Sequence, residues 1–87
     1  MYVILVYDVN VKRVAKVLKV ARKYLHWVQN SVCEGELTEA GYEKLKAEIK
    51  KVIKTEEDSI IFYQLKTMKY TKRETIGVKK GGEELVL

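Results

Sequence analysis

No proline interrupts this 87-residue chain, and cysteine, histidine, tryptophan and phenylalanine occur once each, with glycine at only five positions. Each scarcity excludes a class of protein. Without proline there is no polyproline linker, and five glycines are too few for a collagenous or low-complexity composition. A lone Cys33 forbids an intramolecular disulfide and any cysteine-cluster zinc site, which fits a reducing interior. A lone His26, at the end of the first helical pattern, leaves no two-histidine metal set and no paired imidazole within a chain. Ser31 lacks the G-x-S-x-G setting of a serine hydrolase, and Cys33, with no histidine partner near it in sequence, reads as a small core residue. Gly81-Gly82 precedes no helical pattern, so no glycine loop is set to cradle a phosphate. The longest apolar run, Met1 to Tyr7, is far below the roughly 20 residues of a membrane span and follows no basic leader. A soluble, cytoplasmic protein with one domain is expected, since a chain this short cannot feed a second core.

What the chain does have is positive charge in one place. The net charge is +5, and the first 33 residues account for all of it: Lys12, Arg13, Lys16, Lys19, Arg22 and Lys23 stand against the single acid Asp8. Beyond them, basic and acidic residues cancel. Charge gathered in this way fits either a polyanion contact or a solvated helix face.

The order of elements follows from apolar spacing. Met1 to Tyr7 is a run of β-branched, aromatic and leucine residues that reads as a central strand, closed by Asp8. Val14, Val17, Leu18, Ala21 and Leu25 then recur at helical spacing over residues 11–25, which places Lys12, Lys16, Lys19 and Lys23 on the opposite side. A strand is expected over residues 27–33, a tight turn at Glu34-Gly35 and a short strand to Leu37. Thr38 is a helix cap, and Tyr42, Leu45, Ile49, Val52 and Ile53 form the inner stripe of a second helix. Ser59 to Leu65 is a further strand, Lys66 to Lys72 a polar stretch, and the Gly-Gly-Glu-Glu-Leu-Val-Leu terminus a short last strand. The core order β-α-β-β-α-β is the split βαβ, or ferredoxin-like, arrangement of an α+β sandwich.

Both crossovers being right-handed, the two helices cover one face of the sheet and leave the other bare. The first strand offers Val3, Leu5 and Tyr7 to one side and Tyr2, Ile4 and Val6 to the other. A second copy of the chain is the simplest cover for the second side, although scattered exposed apolar residues are also tolerated. Asp8 ends the central strand beside the basic start of the helix. From the residues alone it is either the cap of that helix or a ligand that holds a divalent cation such as Mg²⁺ against a phosphate. A two-fold axis would supply two such carboxylates to one ion.

Three blocks carry a resemblance: Tyr-Val-Ile-Leu-Val-Tyr7-Asp8-Val, Val28-Gln29-Asn-Ser31-Val32-Cys33-Glu34-Gly35-Glu-Leu37, and Glu57-Asp58-Ser59-Ile-Ile-Phe-Tyr63. In this order and spacing they resemble the family of CRISPR-associated protein two, through about residues 1–65. Cys33 stands where that family usually has phenylalanine, and Trp27 where some members have arginine. The resemblance implies a ferredoxin-like homodimer with a core over residues 1–65 and a tail over 66–87 that adds a strand to the partner subunit. It implies a part in spacer acquisition, as an adaptor between copies of the CRISPR-associated protein one integrase that lies along double-stranded DNA. It also implies a Mg²⁺-dependent endonuclease acting on RNA or double-stranded DNA, with Asp8 as the catalytic metal ligand. Lys12, Arg13, Lys16, Lys19 and Lys23 are then the expected nucleic-acid contacts. The alternatives are a toxin-like ribonuclease of the VapD type and a small ferredoxin-like ligand-binding module without nuclease activity.

Overall fold

The apolar opening run forms β1 (Tyr2–Asp8), and the chain continues as α1 (Val11–Ala21), β2 (His26–Gln29), β3 (Val32–Glu36), α2 (Glu39–Val52), β4 (Ser59–Lys66) and β5 (Lys69–Gly77). The computed structural model describes residues 1–66 and 69–78. The strands make one sheet in the order β2-β3-β1-β4-β5, with every neighbouring pair antiparallel. This is the expected ferredoxin-like sandwich with a fifth strand beside β4. β1 lies at the centre, which explains why its sequence is apolar on both sides.

The period of two along β1 separates the faces. Val3, Leu5 and Tyr7 are buried and meet Gln64, Phe62 and Ile60 of β4 in register. They share a single core with Val17 and Ala21 of α1 and Tyr42, Leu45 and Ile49 of α2, so both helices lie on this face. Tyr42 and Phe62 meet edge to face, their ring centres 5.2 Å apart. Burying each large apolar side chain stabilises the fold by about 1.5–3 kcal/mol before entropy is charged against it. On the opposite face, Ile4 and Val6 join Val32, Ile61 and Leu65, all only partly buried, and Tyr2, which is exposed.

Two expectations change. The turn after β2 falls at Asn30-Ser31, not at Glu34-Gly35, which run within β3 opposite Ile4 and Val3. Asn30 has φ of 43°, a left-handed conformation that its short polar side chain tolerates. Gly35 answers to a different need: a Cβ there would lie 3.3 Å from Leu25 Cδ2, so the glycine lets the chain below α1 approach the sheet closely. The second change is in the polar stretch. Lys69–Gly77 is strand rather than link, paired along β4 of the same chain with Ile76 buried opposite Ile60. Its alternation is masked because only one residue in two faces the core and most of those are polar. The terminal strand expected over residues 81–87 lies outside the described residues. Among the described residues no helix is long and apolar enough to cross a membrane.

Candidate nucleic-acid interface and strand-end carboxylate

Helix α1 begins where Asn10 accepts a hydrogen bond from the Lys12 backbone N–H through its side-chain oxygen, at 2.9 Å. Asn10, rather than Asp8, thus takes the capping task. Asp8 is exposed as the last residue of β1, in register with Ser59. The first turn of α1 carries no acid. The positive end of the helix dipole therefore adds to the charge of Lys12, although the Lys12 and Arg13 N–H groups are themselves taken by Asn10. Lys12, Lys16 and Lys19 are exposed along the outer side of α1. Lys23, at the far end of the ridge, is paired with Glu48 of α2 at 2.8 Å and remains about half exposed.

Arg13 points the other way. Its Nε donates to Asp58 Oδ2 at 2.6 Å, and its Nη2 donates to Asp58 Oδ1 at 3.0 Å and to Glu57 Oε1 at 2.8 Å. Asp58 is fully buried and also accepts from the backbone N–H groups of Asn10 and Lys54, both at 2.9 Å. Arg13 hydrogen bonding holds the Asp58 carboxyl well below the usual carboxylate range, against the upward push of burial, with the two backbone donors helping. One side chain thus ties together the start of α1, the turn after α2 and the start of β4. The Asp58 carbonyl adds a fourth tie by accepting from the Val78 N–H at 2.9 Å. Sequence reasoning gave Asp58 no role. The available signal was an acid one residue ahead of an apolar run, nearly mirroring Asp8 directly behind one; its partner Arg13 lies 45 residues away.

A second polar cluster fastens β5 to the core. Tyr42 donates to Glu74 Oε1 at 2.7 Å and accepts from Gln64 Nε2 at 3.1 Å, while Lys46 pairs with Glu74 at 3.0 Å. The Lys46 ammonium also sits 4.7 Å from the centre of the Tyr42 ring. Burial and the Glu74 hydrogen bond push the Tyr42 hydroxyl far up from its ordinary value.

Among the described residues no group of three or more His, Cys, Asp or Glu side chains converges on a metal position. His26 is in β2 opposite Glu34. Burial raises the Cys33 thiol, which suits a core residue and not a nucleophile. Asp58 has its oxygens filled by four donors. Asp8 therefore offers one hard oxygen ligand per chain. That is enough for magnesium, which keeps several waters and is commonly held by one or two carboxylates plus substrate phosphates.

A five-stranded ferredoxin-like sheet with both helices on one face, a carboxylate at the end of its central strand and a lysine ridge beside it define a small basic α+β protein. The family described as CRISPR associated protein Cas2 matches residues 1–73, and the chain belongs to that family. It is 58% identical over 87 residues to the CRISPR-associated endoribonuclease Cas2 of Dictyoglomus turgidum, covering 100% of both chains. It is equally 58% identical over 86 residues to the protein of that name from Thermotoga maritima, covering 99% of each. Among solved structures, Streptococcus pyogenes Cas2 at pH 6.5 has a TM-score of 0.70 at 38% identity, covering 76% of this chain and 87% of that one. A further Cas2 crystal structure has a TM-score of 0.69 at 39% identity, covering 100% and 98%.

Proposed function

We propose that the chain is a homodimeric, magnesium-dependent endoribonuclease of the CRISPR system, with Asp8 as its metal ligand and α1 as its phosphate-binding surface. The observation that carries this reading is the division of labour between two neighbouring acids. Asp58 is buried and committed to Arg13, while Asp8 is exposed beside the cationic start of α1. The partly exposed face formed by Ile4, Val6, Val32, Ile61 and Leu65 supports two copies meeting sheet to sheet, which would bring a second Asp8 to the site. Asp8 would hold magnesium there, and the ion would supply charge neutralisation at the scissile phosphate. Lys12 and the helix dipole would attract the phosphate, and Lys16 and Lys19 would hold the neighbouring backbone. Arg13 acts on this surface by fixing the first turn of α1 through Asp58, and Lys23 extends the ridge at its far end.

Double-stranded DNA is the second substrate class that the same surface would accept. Lys12 and Lys19 are seven residues apart and so span roughly 10 Å of helix axis, longer than one phosphate contact requires. That extent favours a second role, in which the dimer lies along duplex DNA and links copies of the CRISPR-associated protein one integrase during spacer acquisition.

The nuclease is tested by incubating RNA and duplex DNA with the protein in magnesium and then in chelator, alongside Asp8→Asn. Cleavage that needs magnesium and disappears in the variant is expected. Equal cleavage by the variant would remove Asp8 from the site. Light scattering is expected to give about twice the 10.1 kDa chain mass, and a 10.1 kDa particle would remove the paired carboxylates. Co-purification with the integrase and a spacer-length duplex tests the bridging role.

A further inference from the structure

Trp27 is the only tryptophan of the chain, and it lies on the edge strand β2 with 51% of its surface open. Val28 beside it is 46% exposed. A large aromatic left in water gives up burial free energy, so its position calls for a partner. The ring is not loose. Its Nε1 donates to the Asn30 carbonyl at 3.0 Å, across the turn that Asn30 makes in its left-handed conformation. An indole held this way loses little rotamer freedom when something stacks on it.

Its surroundings are cationic. Trp27 is paired with Cys33 across β2 and β3, and Arg22, which closes α1, precedes it by the short connection from α1 to β2. Arg22 in turn lines a shallow groove of about 360 Å³ on the flank of α1, whose other walls are Ala15, Leu18 and Lys19. Apolar surface, a fixed ring and two cations thus follow one another from α1 to the sheet edge. This combination matches a nucleic-acid strand whose bases are unpaired, because an aromatic face takes the flat of a base while cations take the phosphates. A duplex hides its base faces and would meet only the cations.

We infer that Trp27 is a stacking platform for one unpaired base of a single-stranded nucleic acid, with Arg22 and Lys19 contacting the adjoining phosphates. The inference rests on the nucleic-acid reading above and adds discrimination between single and double strands. Because the protein has one indole beside six tyrosines, fluorescence excited on the red edge, beyond tyrosine absorption, reports this position alone. We expect a single-stranded oligoribonucleotide to quench the emission, and inorganic polyphosphate or a blunt duplex of the same sequence to bind with little quenching. Trp27→Ala is expected to weaken single-strand affinity roughly 5- to 150-fold, read by anisotropy of a labelled oligonucleotide, while Trp27→Phe retains most of it. Duplex affinity should stay within about twofold in both variants.

If Trp27→Ala binds the single strand as tightly as wild type, the stacking site falls and the lysine ridge stands. If neither strand form binds wild-type protein, both readings fall together. Quenching as strong with polyphosphate as with the oligonucleotide would show charge alone at work and would overturn the inference. So would an emission shift driven by protein concentration alone, which would place Trp27 between two protein surfaces.

Discussion

Replacing Arg13 by methionine keeps most of the side-chain stem and removes the charge from a carboxylate that has no solvent to turn to. In the native fold Asp58 accepts two hydrogen bonds from Arg13 and two from backbone N–H groups. Removing one partner of a buried ion pair costs about 3–5 kcal/mol. With the two backbone donors still present, the low end applies, about 3 kcal/mol. For a domain of this size, that corresponds to a fall in melting temperature of about 12–24 °C. Thermal unfolding followed by circular dichroism, at matched protomer concentration, measures it. The pH dependence carries a second signature. Asp58 is depressed in the folded state, so the unfolded chain takes up the proton first as pH falls. The stabilisation is complete above the ordinary carboxylate value of 3.8 and is lost as pH drops below it toward the folded value. In Arg13→Met the Asp58 carboxyl rises toward or past its unfolded value, so this part of the acid loss should shrink or reverse. Stability within about 1 kcal/mol of wild type, with nucleic-acid affinity lost instead, would show that Arg13 serves the ligand and not the fold.

Asp8→Asn is expected to lower magnesium-dependent RNA cleavage at least 100-fold while leaving the melting temperature within about 2 °C, because the side chain is exposed. Joint replacement of Lys12, Lys16 and Lys19 by alanine should flatten the salt dependence of single-strand binding by about 2 log units per log unit of salt, measured between 50 and 500 mM, about 0.7 for each phosphate no longer neutralised. Gly77→Ala should cost at least about 1–3 kcal/mol in urea unfolding, since φ is 92° and the new Cβ would lie 2.0 Å from the Asp58 carbonyl oxygen. Tyr42→Phe leaves the buried Gln64 amide without its acceptor and takes one donor from Glu74, which keeps Lys46. It should cost about 1–3 kcal/mol, with faster amide exchange over residues 71–77 by mass spectrometry.

The order of the first six elements and the inner residues of both helices were legible because apolar periodicity is strong there. Tyr42, Leu45 and Ile49 recur at helical spacing and all prove buried. Boundaries failed where a single residue did two jobs. Gly35 looked like a turn glycine, and only the close approach of Leu25 explains it. The fifth strand was hidden because its inward positions include Glu74, which is satisfied by Tyr42 and Lys46 from another element. At the candidate site, Asp8 and the lysines could be singled out from charge and position. That Arg13 turns inward could not, because a one-dimensional reading does not bring Asp58 to the start of α1. The capping role moved from Asp8 to Asn10 for a similarly local reason, a two-residue difference in where the helix begins.

Helix α1 divides its residues between separate tasks. Val17 and Ala21 are sealed inside, Arg13 is the tether, and Lys12, Lys16 and Lys19 are exposed. Substitution can therefore change the positive charge of this helix face, residue by residue, without passing through misfolded forms. The scaffold beneath that face, sealed by Val17 and Ala21 and tethered by Arg13, stays unchanged as the charge above it varies.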